Sequence, residues 1–563
     1  MGIKRLRPWQ AQCVDKAIHW LTSIKPELGK NLAKRFLINA APGAGKTIAA
    51  SVIAEKLISL GLVERVIVLA PLSEVVTQWG NEFKMVTSRY MGKVTSSDGD
   101  LSAMGIDICA SWAAVQNMAD VFQAVCQNSK TLVICDEIHH AAVEATWGSS
   151  AGSAFADAEY VLLLTGTPIR SDGEKSVWMA YDTKGAINHP AEGSYTISYG
   201  ECVDLGYCRP ASFHRHEGKF SIEVAPGRSI DVSGYKSAAL SNAEKRIPGL
   251  QTSLKFYNLA KTPQFENDGI TPLKDCFQWT MLEAAVEKLN DLRLRMPNAG
   301  ALAIAPNIET ANFVADILEI IEGERPIEVN SNQPNAANKI NAFRNTDKRW
   351  IVSVGMVSEG VDIKRLRVLT YLPNALTELA FRQAVGRVVR TAGPEDDTRA
   401  YVIMPSFETF DTYARRVEKE MPLAHQKDPG KPRKKTCPTC GEKCELGAHQ
   451  CHSCGHEFPT APTHYKPCTK CSALNPLSAK KCQVCGEEFG TSFTLSLDQA
   501  LRAGAIARGM DLSENEVKAA EKIAPHIRSN CLKSGDENLV RIVRILPEET
   551  WSRLSEIVSN APR

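Results

Sequence analysis

FLINAAPGAGKTIAAS, residues Phe36–Ser51, runs from a short apolar, β-rich segment through a glycine-rich turn into a helix-forming segment. In such a turn Gly43 and Gly45 let backbone N–H groups approach phosphate oxygens, with Pro42 and Ala44 completing the loop. Lys46 is long enough to reach a β- or γ-phosphate, and the Thr47 hydroxyl can hold Mg2+. The strict pattern has glycine where this chain has Ala40. The Gly-Lys-Thr core and its strand–helix setting are intact, so the stretch reads as a triphosphate-binding loop on a parallel sheet.

Short apolar runs recur outward from it at Val66–Leu69, Ile106–Cys109, Leu132–Cys135 and Val161–Leu164, separated by helical stretches such as Ile48–Leu60. Strands alternating with helices of this length predict a doubly wound parallel sheet. The pattern returns at Ala301–Ala305, Trp350–Val354, Val368–Leu372 and Ala400–Met404, with a helix over Thr310–Ile321. The expected fold class is therefore α/β with two such units.

Two further stretches carry chemistry. TLVICDEIHHA (Thr131–Ala141) is an apolar strand ending in Asp136 and Glu137. A carboxylate at that end can share the Mg2+ held by Thr47, and the next can orient and deprotonate an attacking water. His139 and His140 are adjacent on a loop, where side chains diverge, so they do not read as a metal pair. In LTELAFRQAVGRVVR (Leu376–Arg390) a helix would set Gln383, Arg387 and Arg390 on one face. A solvated basic face would explain that stretch alone. With a phosphate loop elsewhere in the chain, arginines that reach a γ-phosphate are the better account.

Composition bounds the rest. The chain has 563 residues, 44% hydrophobic and 23% charged, with 66 Lys+Arg against 64 Asp+Glu. That is enough for several cores, and a net charge of +2 offers no global field for a polyanion, so any nucleic-acid site is a local patch. MGIKRLRPWQAQ at the start lacks the apolar run of a secretory signal, and no run nears the ~18 residues of a membrane helix. The expectation is a cytoplasmic chain, nucleoid-associated if bacterial or phage-encoded, without a membrane partner.

In order and spacing these elements resemble superfamily 2 helicases of the DExH type, over about residues 1–405. LRPWQ (Leu6–Gln10) looks like the glutamine motif, with Gln10 on the adenine edge. APGAGKT (Ala41–Thr47) resembles motif I, and VIVLAPLSEVVTQW (Val66–Trp79) motif Ia, a nucleic-acid backbone contact. DEIH (Asp136–His139) resembles motif II, LLLTGTPIR (Leu162–Arg170) motif III, and ALAIAPNIETA (Ala301–Ala311), loosely, motif IV. VGMVSEGVDIKRL (Val354–Leu366) resembles motif V, with Glu359, Gly360 and Asp362 near nucleotide and strand, and RQAVGRVVR (Arg382–Arg390) motif VI. The resemblance implies two RecA-like lobes closing on ATP and Mg2+, with a nucleic-acid strand crossing both. Lys46, Asp136, Glu137, Gln383, Arg387 and Arg390 would then be catalytic, and Thr165, Thr167 and His139 would couple hydrolysis to lobe movement. DEIHHA with TGTPIR is similar to DNA-directed members: restriction translocases, repair helicases and phage recombination helicases. That favours DNA over RNA. A motor subunit of a restriction or defence assembly, whose nuclease is another chain, and an RNA helicase or a non-enzymatic zinc-ribbon nucleic-acid adaptor remain alternatives.

Of 17 cysteines, eight form CPTCGEKCELGAHQCHSCGHEF (Cys437–Phe458) and CTKCSALNPLSAKKCQVCGEEF (Cys468–Phe489). Both read C-x2-C-x10-C-x2-C and end C-G-x-E-F, so the second is a copy of the first at a constant offset, Cys437 answering to Cys468 and Cys454 to Cys485. Cys437, Cys440, Cys451 and Cys454, then Cys468, Cys471, Cys482 and Cys485, fit two closed Zn2+–S4 sites of structural type. They resemble zinc ribbons. Cys444 and the other eight cysteines read as ordinary thiols. Ten Lys/Arg against four Asp/Glu between Lys427 and Cys485 fit phosphate contact, with protein docking the alternative. KPRKK also fits a nuclear-import pattern. The expected organisation is lobe one at 1–190, a connector at 191–275, lobe two at 276–422, a basic linker at 423–436, a double ribbon at 437–490 and a helical region at 491–563, where protein partners are also expected.

Overall fold

In a computed structural model of the chain, the described residues are 6–423 except 24–29, 72, 95–104, 139–150, 167–177, 179, 182–186, 226–227, 235–239, 241–249, 251–253, 267, 331–335, 355–362, 392–395 and 397, with short stretches between 434 and 501. Two parallel sheets carry the architecture. The first has seven strands in the order Met91–Val94, Asp107–Ser111, Arg65–Ala70, Thr131–Cys135, Tyr160–Thr165, Arg35–Ala40 and Ser194–Ile197. The second has six: Ala211–His216, Ala400–Pro405, Leu366–Tyr371, Gly300–Ile304, Trp350–Val354 and Ile327–Asn330. These are the two RecA-like lobes. Their central strands are buried along their whole length, as in Thr131–Cys135, Tyr160–Thr165 and Leu366–Tyr371, which is why they read as unbroken apolar runs.

Helices close the crossovers where the sequence supplies caps. Asn307 caps the helix Ile308–Glu322 by accepting from the Thr310 amide, and Gly323 ends it at φ 74°. Thr377 accepts from the Ala380 amide and starts the helix Glu378–Val388. That helix stops short of Arg390. Gln383 and Arg387 lie on it, whereas Arg390 follows in extended backbone bridged to Cys208, so the three do not share one helical face. The cause is tertiary: the Arg209 amide takes the Val389 carbonyl at 2.7 Å and draws the chain off the helix.

The stretch between the lobes does more than connect them. Ser194–Ile197 pairs with Arg35–Ala40, and Ala211–His216 pairs with Ala400–Pro405, so it lends an edge strand to each sheet. Beyond it, Gly218–Ala225 and Arg228–Ser233 form an antiparallel pair that a third strand, Thr491–Ser496, joins in parallel. The region expected to be helical thus begins with a strand. Phe493 seats it in a cluster with Phe220 and Phe277, ring centroids 5.6 Å away from each. Gly218 makes the room, since a β-carbon there would lie 2.7 Å from the Phe493 ring. The chain leaves lobe two through the helix Glu408–Leu423 and returns to it at Thr491, so the cysteine-rich segment is tethered at both ends. The helices expected after Leu501 lie outside the described residues.

Candidate nucleotide site between the lobes

The phosphate loop has the backbone its composition demands. Gly43 and Gly45 sit at φ 84° and 97°, a region that L side chains avoid. Gly45 also gives Gln10 its place: a β-carbon there would lie 2.7 Å from Gln10 Nε2 and displace that amide. Gln10 donates to the Gly45 carbonyl at 3.0 Å and accepts from the Arg7 amide at 2.9 Å. Arg7 donates to the Ala44 carbonyl at 2.8 Å and lies over the Tyr207 ring. The glutamine motif therefore buckles the loop from outside, with both polar ends of the Gln10 amide engaged by the chain itself. Pro42 and Ala44 complete the turn, and Lys46 and Thr47 stand in the first turn of the helix Lys46–Ser59.

Motif II meets the loop where the strand Thr131–Cys135, in the middle of the sheet, ends. Lys46 Nζ lies 3.3 Å from Glu137 Oε1, and Glu137 Oε2 accepts from the Gly166 amide at 3.4 Å. Gly166 lies close to the lysine: a β-carbon there would stand 2.7 Å from Lys46 Nζ and displace it. Glu137 holds φ 48°, a strained backbone of the kind that clusters at active sites. Asp136 is buried at the end of its strand; its amide donates to the Leu69 carbonyl at 2.9 Å and Trp79 Nε1 donates to its Oδ2 at 2.7 Å. Burial first, then the neighbouring Glu137, push the Asp136 carboxyl up to about 6, against the pull of Lys46 and Trp79. Two carboxylates, a threonine hydroxyl and a lysine around a glycine cradle are hard oxygen donors and phosphate ligands that fit Mg2+ with a triphosphate.

The second lobe lies directly on this loop. A β-carbon at Gly386 would come within 2.7 Å of Pro42, and one at Gly43 within 3.1 Å of Arg390 Cγ. Cys208 joins both sides: its thiol donates to the Pro42 carbonyl at 3.1 Å and its backbone bridges Arg390. Gln383 and Arg387 are buried on the same helix as Gly386. Arg382 is paired with Glu378 at 2.9 Å and Glu420 at 2.6 Å. A cavity of about 200 Å³ remains between Pro42, Gly166 and Tyr199 on one side and Arg382, Gly386 and Glu420 on the other. Thr165 is buried at the end of its strand, whereas His139, Thr167, Gly360 and Asp362 lie outside the described residues. Trp79, Arg7 and Cys208 were not legible as site residues. A buried tryptophan or cysteine has no spacing that reveals whether its N–H or S–H is used.

In the cysteine-rich segment the repeat is structural as well as sequential. Lys434–Thr436 pairs with Lys443–Glu445, and in the second copy Tyr465–Pro467 pairs with Leu474–Pro476. The Cys437, Cys440 and Cys454 sulfurs lie within 4.8 Å of one another, with Cys437 to Cys454 at 3.5 Å. A disulfide needs about 2.05 Å, while two sulfurs on one tetrahedral Zn2+ stand roughly 3.8 Å apart from Zn–S lengths of about 2.3 Å. The spacing fits a shared metal. Cys444 is buried beside them, its sulfur 3.7 Å from His452 Nδ1. Cys451, Cys468, Cys471, Cys482 and Cys485 lie outside the described residues.

Comparison with known proteins agrees with this geometry. Residues 3–170 match the family described as "Type III restriction enzyme, res subunit". An uncharacterized protein of Mycobacterium tuberculosis is 32% identical over 369 residues, covering 65% of this chain and 58% of that one. The chain thus spans less than two thirds of the length of that relative. The DNA 3'-5' translocase XPB2 of Sulfurisphaera tokodaii is 24% identical over 413 residues, covering 69% of this chain and 80% of that one. Among solved structures, the fragment of a putative HsdR subunit of a type I restriction enzyme from Vibrio vulnificus aligns at 17% identity and TM-score 0.47, over 74% of this chain and 66% of that one. Motifs I, II and VI meet at one interface and residues 3–170 match a res-subunit domain, so the chain is similar to the superfamily 2 helicases in both sequence and site geometry.

Proposed function

We propose that the chain is an ATP-driven motor that translocates on or unwinds DNA, branched or duplex, in recombination, repair or replication. One observation carries this reading: the Lys46–Glu137 pair and Asp136 of lobe one lie at the interface where Arg390 and Gly386 of lobe two rest on the phosphate loop. Lys46 and the loop amides hold the phosphates, and Thr47 and Asp136 hold Mg2+. When bound, Mg2+ neutralises charge on the β- and γ-phosphate oxygens. Glu137 orients the water and takes its proton, and Arg387 and Arg390 stabilise the charge spread over the γ-phosphoryl oxygens. Arg390 and Gly386 then make lobe closure depend on what the loop holds, which is how hydrolysis drives stepping. Thr165, Thr167 and His139 couple the two lobes, Gly360 and Asp362 contribute to nucleotide binding, and Gln10 turns its amide to the adenine.

The experiment is ATP turnover at fixed salt with single-stranded, duplex and forked DNA and with RNA. The expected result is stimulation by DNA, and a drop of about 10²–10⁴-fold in Lys46→Ala and Glu137→Gln. A folded preparation with no turnover on any nucleic acid sinks the reading, and stimulation by RNA alone turns it into an RNA helicase. The family description of residues 3–170 favours a second reading, a motor subunit whose nuclease is a separate chain; co-purification of a stable nuclease supports it. We further propose that the eight repeat cysteines hold two structural Zn2+ and that this module contacts nucleic-acid phosphates. Elemental analysis is expected to give two zinc ions per chain, and one in Cys437→Ser.

A further inference from the structure

Asp136 hangs on the junction between the strand Arg65–Ala70 and the helix Ser73–Thr87. Its backbone amide takes the carbonyl of Leu69, next to last in that strand, and its side chain takes the indole N–H of Trp79, well inside that helix. The tryptophan is nearly fully buried, with Val75, Val76 and Phe83 on the same face of the helix. Packing alone would account for a large apolar ring there. It does not account for a short hydrogen bond aimed at one oxygen of a motif II carboxylate. An indole N–H donates and never accepts, so the contact engages Oδ2 as an acceptor and restricts rotation of the carboxylate.

We propose that Trp79 is a positioning residue for the metal-binding carboxylate: by holding Asp136 Oδ2 it presents Oδ1 to Mg2+, and it ties that carboxylate to the strand–helix corner of motif Ia. This rests on the reading of Asp136 as a Mg2+ ligand. Removing an outer partner of a metal ligand typically weakens metal binding by about 10–100-fold, which sets the expected size of the effect.

The test is binding without turnover. The full chain is titrated with Mn2+ in the presence of a non-hydrolysable ATP analogue, and bound Mn2+ is read by electron paramagnetic resonance. Trp79→Phe keeps the ring and loses the donor. Trp112→Phe is the matched control, since Trp112 is equally buried in lobe one and its indole N–H has no partner among the described residues. The expected result is Mn2+ affinity about tenfold or more weaker in Trp79→Phe and unchanged in Trp112→Phe. Wild-type affinity in Trp79→Phe, or equal losses in both variants, overturns the proposal while the nucleotide site stands. No Mn2+–nucleotide binding in the wild type removes the reading of the site, and the proposal with it. If Trp79→Phe does not fold, Trp79→His, which keeps a ring N–H, is set against Trp79→Leu. Affinity retained in the first and lost in the second supports the donor role, and equal affinities overturn it.

Discussion

The two lobes share a parallel sheet but place their charged groups differently. Lobe one keeps Lys46 and Glu137 partly open at the ends of its strands, facing the cleft, with side-chain exposures of 11% and 25%. Lobe two seals its charges inside. Arg209, Arg367 and Asp396 form a buried knot, with Arg209 Nη2 at 2.5 Å and Arg367 Nη2 at 2.9 Å from the same carboxylate oxygen. Arg209 also donates to the Leu366 and Val388 carbonyls at 2.7 and 2.9 Å, so the knot pins the segment that delivers Arg390 to the phosphate loop. Arg215 is buried likewise between Asp411 and Glu418. A charge at a cleft serves chemistry; the same charge in a core serves position, because only full pairing makes its burial tolerable.

That contrast can be broken by substitution. Asp396→Ala leaves two buried guanidinium groups without their carboxylate, and is expected to cost about 3–5 kcal/mol in urea unfolding. Lys46→Ala, which removes half of a partly exposed pair, is expected to cost under about 1 kcal/mol while abolishing turnover. Comparable stability losses in the two variants would erase the distinction. Phe493→Ala removes the ring that staples the returning strand to lobe two, and is expected to cost about 3 kcal/mol. Its signature is faster proteolysis within 424–500 with the rest of the chain resistant, read by mass spectrometry of the fragments.

The last effect is a pH dependence of lobe two, confined to acid conditions. Burial, with His214 nearby, lowers the His216 imidazole to about 3, and its Nε2 lies 3.0 Å from Thr280 Oγ1. Because the unfolded chain takes up this proton at an ordinary pKa near 6.5, the contribution of neutral His216 is present above that pH. It is lost as pH falls from about 6.5 toward 3. His216→Phe is expected to flatten the thermal midpoint of lobe two across pH 4–7. An unchanged slope assigns the acid sensitivity elsewhere.

Much of this was written in local pattern. Arg35–Ala40, Thr131–Cys135 and Tyr160–Thr165 are buried on both faces, so their apolar runs announced them. The cysteine repeat announced its own hairpins. Ser194–Ile197 was not legible, because a short edge strand of mixed residues owes its conformation to the partner it pairs with. Thr491–Ser496 was hidden for the same reason: its alternation is short, and its partner strand, Gly218–Ala225, lies on the far side of the whole second lobe in the chain.

By itself the sequence determined the chemistry available: a glycine-bounded phosphate loop, two acids at a strand end, two arginines at near-helical spacing, and eight paired cysteines. These depend on residue type and short spacing, which the chain carries locally. Only the tertiary structure decided how they are held. Trp79 on Asp136, Gln10 on Gly45, Cys208 on Pro42 and Arg390 on Gly43 are contacts between residues far apart in the chain. No local spacing encodes them, because each depends on how two sheets and the segment between them pack.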